Sequence, residues 1–187
     1  MKTAVLGSGG WGTALALVLL ENGNDVTLWS YFEEESKVLQ EQHENRMLKG
    51  VPLPEALHLN SDLACVKGCP MVVLATPSFA VRTTARNLKG LLDPGTVVVS
   101  VSKGIEKDTS MTLTDVIEAE LGPGYPVVAL CGPSHAEEVG RKVPTAVVSA
   151  SKDQKAAELV QDCFMNGRFR VYTSPDRKST RLNSSHS

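Results

Sequence analysis

The chain has 187 residues, of which 42% are hydrophobic and 21% charged, with a formal net charge of −2. That length accommodates one domain, or one domain and the start of another, and it supplies enough apolar residues for a real core. The scattered, nearly balanced charge gives no footing for a nucleic-acid partner, and no apolar run reaches the ~20 residues of a membrane span. One lysine precedes Thr3 and a glycine-rich stretch follows at once, which is not the make-up of an export signal; the expected location is cytoplasmic.

Residues 3–6 read as a short apolar strand that runs straight into Gly7-Ser8-Gly9-Gly10-Trp11-Gly12, after which residues 11–21 read as a helix. This is G-x-G-x-x-G between strand and helix. Gly7 permits the tight turn, Gly9 lets a pyrophosphate approach the backbone, and Gly12 lets helix and strand pack closely. The free N–H groups of the helix start then face the phosphates. A glycine-rich turn in an ordinary α/β protein would use the same letters, but the placement favours dinucleotide binding.

Asn22-Gly23-Asn24 stops the first helix. A second strand follows over 26–29, then a weakly amphipathic surface helix over 33–44. Residues 48–59, with Gly50, Pro52 and Pro54, read as a loop with extended pieces. Ser61-Asp62-Leu63 opens a short helix that ends near Gly68. The continuous apolar run 71–75 is expected to be a strand buried on both faces. Thr76-Pro77-Ser78 breaks it, and 79–88 reads as a helix. A further buried strand spans 96–101, and a helix spans 109–121 with Asp108 or Thr109 as its N-cap. Strands over 127–130, 144–150 and 169–172 are separated by short and longer helices over 135–139 and 152–164.

From about Arg177 the chain is polar, aperiodic and buries nothing. Residues 176–186 resemble the translation of a widely used sequencing adapter. The expected organisation is therefore a nucleotide-binding domain over 1–175 and a non-native-looking, disordered tail over 176–187 that carries no function.

Alternation of strand and helix is the signature of a parallel sheet covered by crossover helices, so the fold class is α/β: a Rossmann-like, doubly wound, mainly parallel sheet. In such a sheet ligands lie beyond the carboxyl ends of the strands. Four predicted strand ends carry small or polar residues: the 7–12 turn, Thr76-Pro77-Ser78, Ser102-Lys103-Gly104, and Cys131-Gly132-Pro133-Ser134. Lys103 would point its ammonium into the crevice to hold a phosphate or polarise a carbonyl, although a solvated loop lysine reads the same way. Gly132 and Ser134 could bring donors to an anion; Ser134 with Glu137 also reads as a plain capping box. Trp11 and Phe79 stand where they could cover a cofactor, or simply pack. His135 lacks a carboxylate partner and Cys131 lacks a base, so neither is assigned chemistry. Cys65 and Cys69 have no matching Cys/His pair and read as free thiols rather than a metal site. After the second strand come Trp29-Ser30-Tyr31-Phe32 and three glutamates, with no arginine. The acids would repel a 2′-phosphate, which leans towards NAD and leaves NADP open.

Together these segments resemble the NAD(P)-dependent glycerol-3-phosphate dehydrogenase family in its bacterial form. The matching pieces are residues 7–16, Val26-Thr27-Leu28-Trp29, Ala75-Thr76-Pro77-Ser78, Ser102-Lys103-Gly104-Ile105-Glu106 and residues 131–138, continued by Pro144-Thr145-Ala146 and Phe169-Arg170-Val171-Tyr172. The resemblance implies an oxidoreductase interconverting glycerol 3-phosphate and dihydroxyacetone phosphate with NAD or NADP and feeding phospholipid synthesis. By position, Gly10, Trp11, Tyr31 and Ala136 would contact the dinucleotide. Lys103 would meet cofactor and substrate, and Gly132 and Ser134 would hold the substrate. Tyr31 replaces the basic or histidine residue often found there. The family's proton-transferring lysine belongs to a helical C-terminal domain that nothing here matches. The chain is therefore expected to be the cofactor-binding half, without a catalytic residue or metal of its own, taking a small-molecule substrate; a homodimer is possible for the full-length form. Two alternatives stay open: another NAD(P)-dependent hydroxyacid dehydrogenase, and a non-catalytic NAD(H)-sensing module.

Overall fold

Successive residues of a strand face opposite sides of a sheet, so an unbroken apolar run folds stably only where both faces are covered. That condition organises this protein. The computed structural model describes residues 1–102, 104–132 and 135–175. In chain order these form β1 (Lys2–Leu6), α1 (Gly10–Glu21), β2 (Asp25–Trp29), α2 (Glu33–Gln42), β3 (His58–Asn60), β4 (Met71–Leu74), α3 (Val81–Leu88), β5 (Val97–Ser100), α4 (Leu113–Leu121), β6 (Val127–Cys131), α5 (Ala136–Gly140), β7 (Thr145–Ala150), α6 (Gln154–Phe164) and β8 (Phe169–Ser174). The strands make one sheet in the order β3-β2-β1-β4-β5-β6-β7-β8.

Val5, Val73 and Val99 turn to one face and pack with Leu15 and Leu19 of α1 and Val160 and Phe164 of α6. Their neighbours Leu6, Val72 and Val98 turn to the other, against Val81, Ala85 and Leu88 of α3 and Val116 and Ile117 of α4. All of these side chains are buried. Pairing is parallel from β3 through β6, antiparallel between β6 and β7, and parallel again between β7 and β8. The reversal at β7 delivers Thr145 and Ala146 to the same edge as the carboxyl ends of β1 to β6. Among the described residues no helix is long and apolar enough to cross a membrane.

Two helix starts shift, each for a local reason. The helix predicted from Phe79 begins as a 3-10 turn over Ser78–Ala80 and becomes α-helical only at Val81. The helix predicted from Thr109 begins at Leu113, because Thr112 Oγ1 accepts the Asp115 N–H at 3.2 Å and so is the cap. The Thr109 hydroxyl instead donates to the Glu106 carboxylate at 2.6 Å. One of the extended pieces expected in the 48–59 loop is β3, an edge strand parallel to β2. Helix α5 starts at Ala136 with His135 at its N-cap and no side-chain cap bond. Ser134, the expected cap, lies outside the described residues, as do Lys103 and the tail over 176–187.

Candidate functional site

The carboxyl ends of the central strands lie level: Leu6 pairs with Leu74, Leu74 with Ser100, and Ser100 with Ala129. Beyond this edge opens a cleft of about 950 Å³, lined by the 7–12 turn, the Trp29–Phe32 segment and the loops after β4 and β5. The location is the one ligands occupy in open parallel sheets.

The glycines of the turn divide by function. Gly7 sits at φ +121°, and a Cβ there would stand 2.5 Å from the Ala75 carbonyl oxygen. At Gly12 a Cβ would lie 2.1 Å from the Gly7 oxygen, so α1 can lean onto β1 only because the residue has no side chain. Gly9 differs: a Cβ would meet nothing within 4 Å, leaving open space above the turn. Gly10 is held by a neighbour absent from the sequence reading, since its Cβ would fall 2.8 Å from the Met47 oxygen. Gly9 is the N-cap of α1 and offers no side-chain cap, so the first-turn N–H groups remain available to a ligand.

A buried polar staple fixes the turn. Asn45, 3% exposed, donates through Nδ2 to the Ser8 carbonyl and to Thr13 Oγ1, both at 2.8 Å. Its Oδ1 accepts the Met47 N–H at 3.0 Å, which settles which way the amide points. Ser8 Oγ accepts from Ser30 Oγ at 2.8 Å and donates to Glu35 Oε1 at 2.8 Å. Sequence reasoning gave no role to Ser8, Ser30 or Asn45, and it read Glu35 only as one of three acids after the second strand. Ser8 filled an unspecified motif position, and Asn45 stands 32 residues from its hydroxyl partner. The signal available was weak: an asparagine after a helix, where a local turn is the ordinary explanation.

Tyr31, Phe32 and Phe79 are 73%, 64% and 87% exposed and all line the cleft. Large apolar side chains left in water at one mouth mark an interaction site. Tyr31 meets Phe32 edge-on at 4.9 Å between ring centroids. Two buried polar atoms in lining residues, Trp29 Nε1 and Thr76 Oγ1, have no hydrogen-bond partner. Buried donors are rarely left unpaired unless something else completes them.

Of the residues singled out from sequence, Gly7, Gly9, Gly10, Trp11, Gly12, Tyr31 and Phe79 converge on this cleft. Ala136 lies beside it, its Cβ 3.4 Å from where a Cβ on Gly10 would stand. Gly132 packs on β7, where a Cβ would come within 2.9 Å of the Ala146 oxygen. Neither of these two lines the cleft. Lys103 and Ser134 lie outside the described residues. Cys65 is unsuited to nucleophilic work, since burial, with Cys69 beside it, pushes its thiol up to about 11.

The loop after β5 is braced from below. Ser102 Oγ donates to the Thr76 carbonyl at 2.6 Å, and Arg82 grips Glu106 with two bonds of 2.8 Å while reaching Glu120 at 2.8 Å. Bonding to Arg82 and to the Thr109 hydroxyl holds the Glu106 carboxyl down to about 2; Arg86, then Arg82, do the same for Glu120. A carboxylate whose folded value is depressed stabilises the fold above its ordinary value of 4.5, and that contribution fades as pH falls towards about 2. Arg82→Ala is therefore expected to lower the urea midpoint clearly at pH 7 and much less near pH 2.5. An equal loss at both pH values would mean the guanidinium acts by packing instead.

The family model for the NAD-dependent glycerol-3-phosphate dehydrogenase N-terminus matches residues 2–157. The chain is 48% identical over 177 residues to glycerol-3-phosphate dehydrogenase (NAD(P)+) of Agathobacter rectalis, covering 94% of this chain and 52% of that protein. It is 52% identical over 176 residues to the protein of the same description from Moorella thermoacetica, covering 92% of this chain and 52% of that one. The crystal structure of glycerol-3-phosphate dehydrogenase from Coxiella burnetii superposes with a TM-score of 0.92 at 36% identity, covering 98% of this chain and 57% of that one. The chain thus spans about half the length of the curated relatives it matches.

Proposed function

This chain belongs to the NAD-dependent glycerol-3-phosphate dehydrogenase family, and on that premise we propose that it carries the dinucleotide-binding half of an enzyme interconverting glycerol 3-phosphate and dihydroxyacetone phosphate. The observation that carries this reading is the glycine turn at the cleft. Its N–H groups are uncapped and the space above Gly9 is empty of protein. NAD or NADP fits the groups present: a diphosphate for the amides of the first turn, flat rings for Tyr31, Phe32 and Phe79, and acceptor atoms for Trp29 Nε1.

A bound nicotinamide supplies hydride exchange with C2 of the substrate. The contribution of this chain is binding and orientation. Gly7, Gly9, Gly10, Trp11 and Gly12 hold the dinucleotide, with Tyr31, Phe79 and Ala136 flanking it. Lys103 is assigned to cofactor and substrate, and Gly132 and Ser134 to the substrate. No residue of this chain is given the proton-transfer step. The same reading expects the protein in the cytoplasm, a homodimer as the full-length assembly, and service to phospholipid synthesis.

Both tryptophans, Trp11 and Trp29, line the cleft, so their fluorescence reports on its contents. Titrating the 187-residue chain with NADH is expected to quench that emission saturably, with negligible reduction of dihydroxyacetone phosphate by the chain alone. Absence of saturation with both NADH and NADPH overturns the reading.

A further inference from the structure

Three consecutive acids open α2, and they are not equivalent. Glu33 pairs with Lys37 one turn on, at 3.6 Å. Glu35 is the one that lines the cleft. Its Oε1 accepts from Ser8 Oγ, and Ser8 in turn accepts from Ser30, each bond 2.8 Å. Ser8 and Ser30 are 5% and 1% exposed, so this carboxylate is tied by two buried hydroxyls to the turn that the diphosphate would approach. Among the described residues that line the cleft there is no lysine or arginine. Trp29, 7% exposed, lines the same cleft, and its Nε1 is buried without a hydrogen-bond partner.

Resting on the dinucleotide-binding reading, we propose that Glu35, positioned by Ser8 and Ser30, makes the cleft select NAD over NADP. The ribose next to adenine lies at the end of β2 in folds of this layout. Its vicinal diol presents two O–H donors, and a carboxylate is an acceptor through both oxygens, of which Ser8 engages one. A 2′-phosphate presents only acceptors and a charge of nearly −2. Against a carboxylate held by Ser8, in a lining with no described lysine or arginine, it loses the hydrogen bonds and gains a charge repulsion. Glu35 lies six residues beyond the end of β2, which is why strand-end reasoning does not single it out from Glu33 and Glu34.

The test is direct binding of NADH and NADPH to the full chain, followed by tryptophan quenching. The unaltered protein is expected to bind NADH about 100-fold more tightly than NADPH. Glu35→Gln should shrink that ratio to about 10-fold or less, chiefly by tightening NADPH. Glu33→Gln, which changes net charge equally, should leave the ratio unchanged. Equal affinity of the unaltered protein for both dinucleotides overturns this proposal while leaving the dinucleotide-binding reading standing, and so does a ratio that Glu35→Gln does not move or that Glu33→Gln moves as far. Failure of both dinucleotides to bind overturns the two together.

Discussion

Gly12→Ala is expected to cost about 3 kcal/mol of unfolding free energy and to abolish saturable NADH binding. The added methyl would stand 2.1 Å from the Gly7 carbonyl oxygen and 3.0 Å from Ala75 Cβ. The first of these is backbone, with no rotamer into which it can retreat. Relief therefore requires α1 to lift away from β1, and the lift carries the first-turn N–H groups out of line with the cleft. Urea unfolding and a dinucleotide titration read the two losses separately.

Gly9→Ala provides the contrast. Gly9 has φ −67° and ψ 179°, a conformation open to any residue, and its Cβ would touch nothing. Stability should change by less than about 0.5 kcal/mol, whereas NADH affinity should fall about 10-fold or more, because the methyl fills the space above the turn. A Gly12→Ala protein with an unaltered urea midpoint would remove the close-packing argument. A Gly9→Ala protein that binds NADH as before would mean the ligand does not approach the turn from that side.

The difference between these glycines also shows what a sequence can and cannot carry. G-x-G-x-x-G constrains a strand, a turn and a helix within one local unit, so residues 7–12 were readable, and alternation of apolar strands with helices made the parallel sheet readable too. Gly10 was read as a ligand contact, but its lack of a side chain also admits the Met47 backbone from a segment 37 residues away. Contacts of that kind leave no local pattern. Helix starts were the weakest element for a related reason. Thr109 and Thr112 are equally good caps by type, and the choice between them fell to Glu106, which takes the Thr109 hydroxyl and is itself held by Arg82. Three neighbouring glutamates look alike in one dimension. Only the packing of α2 beside the turn shows that Glu35 meets Ser8 while Glu33 meets Lys37.

Asn45 is where that long-range information has its largest expected consequence after Gly12. Its amide joins the turn, the segment after α2 and α1 at once, bonding Ser8 O, Thr13 Oγ1 and Met47 N, while Thr13 Oγ1 and Ser8 O keep only a long 3.5 Å bond to each other. Thr13 is fully buried and Ser8 nearly so, so water does not replace the lost bonds at low cost. With about 1–3 kcal/mol for each buried group left unpaired, and partial relaxation, Asn45→Ala should lower stability by about 3 kcal/mol. Asn45→Asp should be worse despite its equal size. One carboxylate oxygen would replace Nδ2 opposite the Ser8 carbonyl, setting acceptor against acceptor and burying a charge without a described cation in contact. That charge would also stand beneath the site of the diphosphate, so NADH affinity should fall further in Asn45→Asp than in Asn45→Ala. Urea midpoints with unchanged m-values, taken alongside the NADH titration, measure both effects. An Asn45→Asp protein as stable as its parent would show that the amide does not hold the turn, and the glycines would then have to keep their conformation unaided.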